Sequence, residues 1–172
     1  MISSHFPSVY LDTSVVATAL MPGIANHSAC SEFCNIVRSS VTRVFVSHIL
    51  RLEFAQLWTR VPRTSTVDRD TVRSFRLGAW DRNATVRAEW MRAGVTRLEV
   101  FLSSFRQLVE LPFSLEIWRS SVEIMARHLL RSHDAVHTSS ALLAGVPDFA
   151  SVDSDFRRVP ALRLHLLRDA DA

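Results

Sequence analysis

Twice in this chain a short apolar run of strand length ends on an aspartate and passes at once into residues suited to start a helix or turn. These are Ser8–Asp12 (SVYLD), followed by TSVVATALM, and Phe149–Asp153 (FASVD), followed by SDF. A strand that is apolar on both sides has to be covered on both sides, and such strands belong to parallel sheets wrapped by helices. Between the two junctions lie further strand-length runs, Arg43–Ser47 (RVFVS) and Leu108–Leu111 (LVEL), each separated from the next by segments of helical spacing, and Leu162–Leu167 forms a last strand. This alternation predicts an α/β fold with a central, mostly parallel sheet flanked by helices.

The helical segments carry their own signals. Thr13 and Ser14 offer capping hydroxyls to the first helix, which Pro22-Gly23 ends. Cys30, Phe33, Cys34 and Val37 recur at helical spacing within 26–39, and Ser47 can cap a helix bearing Ile49, Leu50, Glu53, Phe54, Leu57 and Trp58. Helices are predicted over 115–130 and, opened by Asp134, through Ala144. From about 62 to 107 the texture becomes Arg-rich and helical, with Asp68 as a candidate cap and Val86, Trp90, Leu98, Phe101, Leu102 and Phe105 as an apolar stripe. This stretch predicts an inserted helical hairpin, broken near Gly78, used for packing or dimerisation.

At 172 residues the chain is expected to be one domain, 1–172, and 48% hydrophobic with 22% charged residues excludes a disordered or fibrous class. The net charge of +3 allows a polyanionic partner without requiring one. Every one of the 20 basic residues is Arg, a bias that GC-rich codons produce as readily as phosphate recognition does. The four glycines, at 23, 78, 94 and 145, are too scattered for a phosphate-cradling loop or a dinucleotide fingerprint. Cys30 and Cys34 share a helix face as small hydrophobes and build no disulfide framework, which fits a reducing cytoplasm. No export signal or membrane span is expected, because the first residues lack a basic start and an apolar core, and the uncharged run 13–31 is broken by Pro22, Gly23, Asn26 and His27.

The chemistry rests on carboxylates. Asp12 and Asp153 follow strands, Asp134 starts a helix, and Glu53 lies within one among apolar neighbours. In open α/β sheets the carboxyl ends of the strands form the ligand-binding edge, so these acids can converge on one cleft. Gathered carboxylates repel one another unless cations sit between them. Hard oxygen ligands suit Mg²⁺ or Mn²⁺, which bind phosphate oxygens and acidify an attacking water. Taken singly, each aspartate also reads as an ordinary N-cap, and Glu53 could turn to solvent.

His133 and His137 stand four apart, as in zinc metalloproteases, but the glutamate those enzymes need is replaced by the shorter Asp134. A His/Asp metallohydrolase of the all-helical type leaves the strand-to-aspartate junctions unexplained. His137 is expected on the helix surface near the cleft.

VYLDTSVV at 9–16, Glu53 in SHILRLEFAQL, HDAVHTSSALLAG at 133–145 and ASVDSDF at 150–156 together resemble the PIN-domain ribonucleases, and within them the VapC-like toxins of type II toxin–antitoxin pairs. The motifs occur in the family's order and span both ends of the chain. The resemblance implies a PIN-like three-layer fold and metal-dependent endoribonuclease activity. It implies that Asp12, Glu53, Asp134 and Asp153 are catalytic and hold divalent metal, with Asp155 as an auxiliary acidic ligand. Ser14 corresponds to the hydroxyl beside the first aspartate, and Ser151 stands where the family often has Thr. The implied partners are RNA and a small VapB-like antitoxin whose tail blocks the cleft, and a homodimer is expected. A catalytically silent, partner-binding PIN-like module is the alternative; loss of an acidic position would mark it, and all four are present.

A carboxylate cluster repels RNA unless cations flank it. Arg51, Arg60 and Arg63 lie in or after the Glu53 segment, and Arg157 and Arg158 follow the Asp153-Ser154-Asp155 turn. These arginines are the candidate phosphate contacts, pairing with surface acids being the alternative for each.

Overall fold

The computed structural model of the chain describes residues 6–58 and 84–169. Five strands, β1 (Ser8–Leu11), β2 (Arg43–Ser47), β3 (Leu108–Leu111), β4 (Asp148–Ser151) and β5 (Arg163–Leu166), form one sheet in the order β3-β2-β1-β4-β5. Every neighbouring pair is parallel. The chain builds outward from β1 through β2 to β3, then returns to lay β4 on the other side of β1. Between β1 and β4 the order therefore reverses, and at such a switch point the connections diverge and leave a crevice outside the carboxyl ends of the strands.

Tyr10 sits in register with Phe45 on one side and Phe149 on the other, and these three side chains face one layer. Their neighbours Val9, Leu11, Val44, Val46 and Ala150 face the opposite layer, as the two-residue strand period demands. That second layer is made by α1 (Thr13–Leu20), α2 (His27–Ser39), α3 (Ile49–Trp58) and α4 (Ala84–Ser103), which contribute Val15, Phe33, Leu50, Phe54 and Leu98 to the core. The first is made by α5 (Leu115–His128) and α6 (Ser132–Leu143), with Ile124, Ala135 and Ala141 packed beside Phe156. The fold is the three-layer α/β arrangement expected, with a wholly parallel sheet. Among the described residues no helix is long and apolar enough to cross a membrane.

Several local expectations need correction. The Thr13 and Ser14 hydroxyls do not cap α1: Asp12 occupies the cap position, without a side-chain cap hydrogen bond, and both hydroxyls point instead at carboxylates. Helix α6 begins at Ser132, so Asp134 lies in its first turn rather than opening it. Strand β4 ends at Ser151, two residues before Asp153, which caps a short 3₁₀ turn over Ser154–Arg158 by accepting the Asp155 N–H at 2.8 Å. Ser47 does serve the start of α3, accepting the Ile49 N–H at 3.3 Å.

Of the expected inserted hairpin, Asp68 and Gly78 lie outside the described residues. The described part, α4, buries Leu98 and Leu102 fully in the main core. Its junction with α3 is a reciprocal pair: the Trp58 indole N–H donates to the Trp90 carbonyl at 3.1 Å and the Trp90 indole N–H to the Trp58 carbonyl at 3.2 Å. The two rings stack at 5.3 Å, and Phe54 also stacks on Trp58 at 5.5 Å. Gly94 permits this approach, since a Cβ there would lie 2.3 Å from Trp58 Cδ1. A ring held by stacking and by a hydrogen bond cannot step aside freely. Gly94→Ala is therefore expected to destabilise the protein by about 1–3 kcal/mol, despite its better helix propensity, as read from chemical denaturation.

Candidate active site

Asp12 leaves the carboxyl end of β1, and its backbone N–H donates to Ala150 O at 3.1 Å, so the first acid is pinned to the end of β4. The residue is only 5% exposed. Two hydroxyls converge on one oxygen, Ser14 Oγ donating to Oδ2 at 2.5 Å and Ser151 Oγ at 2.8 Å. Ser151 also accepts the Asp153 N–H at 2.9 Å, so one buried serine ties the Asp12 carboxylate to the backbone of the Asp153 turn. Asp12, Asp153, Ser14 and Ser151 thus meet where the sheet order reverses.

Glu53 comes from a helix. Its Oε2 accepts the Thr13 hydroxyl at 2.5 Å and lies 2.6 Å from His137 Nε2, while Oε1 lies 3.1 Å from His133 Nδ1. The His137 ring is bonded at its other nitrogen, Nδ1, to the Tyr10 hydroxyl at 2.8 Å, and its Nε2 is 3.8 Å from Asp12 Oδ1. At 1% exposure His137 is a core residue between two carboxylates, not the surface residue its helix position suggested. The two imidazoles of the HDAVH segment both address the same carboxylate, which is not the geometry of a His-His metal pair.

The electrostatics follow from this packing. Burial works to raise the Glu53 carboxyl, but the hydrogen bond and charge of His137, the Thr13 hydroxyl and the charge of His133 outweigh it and hold the group below its ordinary value. Burial likewise opposes charge on His137, yet the bond to Glu53 and the charges of Asp12, Glu53 and Asp134 lift it above the ordinary imidazole value. Glu53 and His137 therefore behave as a buried ion pair. Asp134 is pushed up to about 6, first by burial and then by the negative charges of Asp12, Asp153 and Glu53, with His137 acting in the opposite sense. The field at Asp134 registers all four acids at one edge.

The donor set is chemically suited to a hard divalent cation: carboxylate oxygens at mutual repulsion, with one acid reluctant to ionise. The side chains do not form a closed cage as they stand, since among the described residues no three or more His, Cys, Asp or Glu groups are disposed to hold a metal ion. Contacts of this kind are commonly looser before ligands bind.

The candidate arginines divide. Arg51 is engaged elsewhere: its guanidinium donates to Glu99 through Nε at 2.8 Å and Nη2 at 3.0 Å, and to both oxygens of Glu110, linking α3 to α4 and β3. It clamps three elements together through acidic partners from distant parts of the sequence, the pairing named above as the alternative for each arginine. Arg158 donates to Leu129 O at 3.1 Å and Asp155 Oδ1 at 2.9 Å, which engages both residues in part. Arg157 is exposed and forms no ion pair among the described residues. Arg60 and Arg63 lie outside the described residues.

From sequence Tyr10 reads as a strand residue, Thr13 as a cap, and His133 and His137 as a metal pair or surface residues, yet all four enter the site as hydrogen-bonding partners. A usable signal existed for two of them: Tyr10 puts a hydroxyl inside an otherwise apolar strand, and no charged residue follows Asp134 through Gly145, which marks that helix face as buried.

The shifted Asp134 has a measurable consequence without any ligand. Its carboxyl keeps a proton in the folded protein up to about pH 6 but loses it near 3.8 when unfolded, so its charge opposes folding as pH rises through that window. Asp134→Asn is expected to raise stability at pH 8 by on the order of 1–3 kcal/mol, a gain that shrinks as pH falls from about 6 and is gone below about 4. Thermal melts of the metal-free protein at several pH values provide the check.

The profile of the PIN domain family matches residues 9–162, a span containing all the acids described above. Among solved structures, VapC20 of Mycobacterium tuberculosis, described as a sarcin–ricin loop cleaving toxin, superposes with a TM-score of 0.61 at 18% identity, covering 88% of this chain and 95% of that one. VapBC2 from Rickettsia felis, bound to a DNA fragment from its promoter, gives 0.60 at 13% identity over 92% and 98%. DNA-bound VapBC from Salmonella typhimurium gives 0.56 at 16% identity over 94% and 99%. No curated protein matches the chain by sequence. At these identities the structural likeness is one of fold.

Proposed function

This chain belongs to the PIN-domain family, and we propose that it is a metal-dependent endoribonuclease of the VapC-like kind, the toxin of a type II toxin–antitoxin pair. The observation that carries the proposal is the arrival of Asp12, Glu53, Asp134 and Asp153 from four different segments at one sheet edge, at the switch point of the strand order. In this reading those four, with Asp155 as an auxiliary ligand, hold Mg²⁺ or Mn²⁺. When bound, such an ion supplies positive charge at the scissile phosphate and acidifies the attacking water.

The chain's own groups have separate tasks. Ser14 and Ser151 hold Oδ2 of Asp12 and so fix the plane of that carboxylate. Burial of Asp12 and Asp134 keeps the local dielectric low, which strengthens every charge interaction with a phosphate. Arg157, and Arg158 in part, are the remaining described cations near the Asp153 turn to receive the RNA backbone.

An RNA substrate is favoured because a neighbour of the same fold is described as cleaving the sarcin–ricin loop. A VapB-like antitoxin is favoured because other neighbours are VapBC proteins. The whole chain is read as a single domain acting in the cytoplasm as a homodimer.

The purified protein is expected to cleave RNA with Mg²⁺ or Mn²⁺ and to stop when a chelator removes the ion. Asp12→Asn should lower the cleavage rate by at least about 100-fold while leaving the melting temperature within a few degrees. Cleavage by the Asp12→Asn protein at the wild-type rate would refute the assignment.

A further inference from the structure

Glu53 differs from the other acids of the cluster in how it reaches the site. Asp12 follows a strand end and Asp153 sits in a turn tied to the next strand through Ser151, so the sheet itself sets their places. Glu53 is delivered from the middle of α3, and nothing in the sheet geometry fixes its direction. Three donors surround it, and they are unequal. His133 has a half-exposed ring, and Thr13 brings a single rotatable hydroxyl. His137 is a fully buried planar ring bonded on both nitrogens.

The proton positions follow from the partners. The Glu53 carboxylate can only accept, so His137 Nε2 carries a hydrogen and donates to Oε2. In the charged ring Nδ1 carries a hydrogen as well and donates to the Tyr10 hydroxyl oxygen. Tyr10 is immobilised in turn: it is fully buried, and its ring lies parallel to Phe149 at 5.1 Å. Tyr10 and Asp12 are two residues apart at the end of β1, so the path Tyr10–His137–Glu53 measures the place of Glu53 from the same strand end that carries Asp12.

We propose that His137 is a positioning residue for this site: anchored by Tyr10, it fixes the Glu53 carboxylate through Oε2 at a set place relative to Asp12 and leaves Oε1 as the oxygen not held by a buried donor. The role rests on the nuclease reading given above. It differs from simple core filling, for which an apolar side chain of similar size would serve. Hydrogen bonds that orient a ligating carboxylate normally influence metal affinity and rate together, because they set where the oxygen stands before the ion arrives.

The experiment compares His137→Leu, His137→Gln, Tyr10→Phe and Asp12→Asn in two readouts, Mn²⁺ affinity by electron paramagnetic resonance and the kcat/KM split on an RNA substrate. His137→Leu, which keeps bulk but removes the donor, is expected to lose about 10–100-fold in Mn²⁺ affinity and in kcat while KM for RNA stays near wild type. His137→Gln places an amide N–H near the position of Nε2 and should recover most of both losses. Tyr10→Phe keeps the stacking on Phe149 and removes the anchor, so a smaller loss of Mn²⁺ affinity is expected. If His137→Leu is not folded by circular dichroism, the Gln and Phe variants decide: glutamine near wild type with phenylalanine weakened supports the role, and wild-type affinity in the phenylalanine variant overturns it. A folded His137→Leu protein that binds Mn²⁺ and turns over RNA like wild type overturns it as well. The control separates the two claims, because Asp12→Asn with unchanged Mn²⁺ affinity and cleavage would sink the nuclease site itself, whatever His137 does.

Discussion

Bringing several carboxylates into one poorly solvated corner is unfavourable, and most of the architecture around the cleft answers that repulsion. Two unit charges of like sign roughly 4 Å apart at a protein surface oppose each other by about 4 kcal/mol at an effective dielectric constant near 20. The chain relieves part of this with donors: two serines on Asp12, a threonine and two histidines on Glu53, a backbone N–H on Asp153. The rest remains as the raised Asp134, a strain that the folded protein keeps because the two apolar layers stabilise it elsewhere. The opposite edge of the sheet offers the contrast. There Asp148, at the start of β4, is held below its ordinary value by the Arg163 guanidinium and His165, as an acid with a structural task usually is. At the carboxyl edge no arginine among the described residues plays that part for Asp12 or Glu53. The positive charge is left to the buried His137 and to whatever ion or backbone the cleft receives.

The topology makes this concentration possible. Because β4 returns beside β1, acids from residues 12 and 153 meet within one turn of their strands although 139 positions separate Asp12 from its partner Ser151. Helix α3 leaves β2 and brings Glu53 across α1, and α6 carries Asp134 and His137 in from the other layer. Removing any one layer would open the corner to water and weaken every interaction in it. The Arg51 clamp belongs to this logic, since it locks the helix bearing Glu53 to α4 and to the edge strand β3.

What could be seen in the sequence was what local pattern controls. Runs such as RVFVS and LVEL are short and of strand character, and they match β2 and β3 residue for residue. Asp12 and Asp153 were visible because strand ends are. What could not be seen depends on pairs remote along the chain. The Tyr10–His137 bond spans 127 residues and the Thr13–His137 contact 124, so no spacing rule reaches them. Arg51 read as a phosphate contact because Glu99 and Glu110 lie 48 and 59 residues away. The capping roles of Thr13 and Ser14 failed for a related reason: a hydroxyl at a helix start usually serves the backbone, but a buried carboxylate nearby is the stronger acceptor.

The central claim is that these four acids form one cation site at the carboxyl edge of the sheet. Titrating ¹⁵N-labelled protein with substoichiometric Mn²⁺ and following amide resonances tests it most directly, because the paramagnetic ion broadens only its neighbours. Broadening is predicted to begin together at Asp12, Thr13, Glu53, Asp134 and Asp153 and to spare Asp148 and Arg163 at the opposite edge. Broadening centred on Asp148, or on Glu99 and Glu110, with the Asp12 and Asp134 signals left sharp, would contradict it.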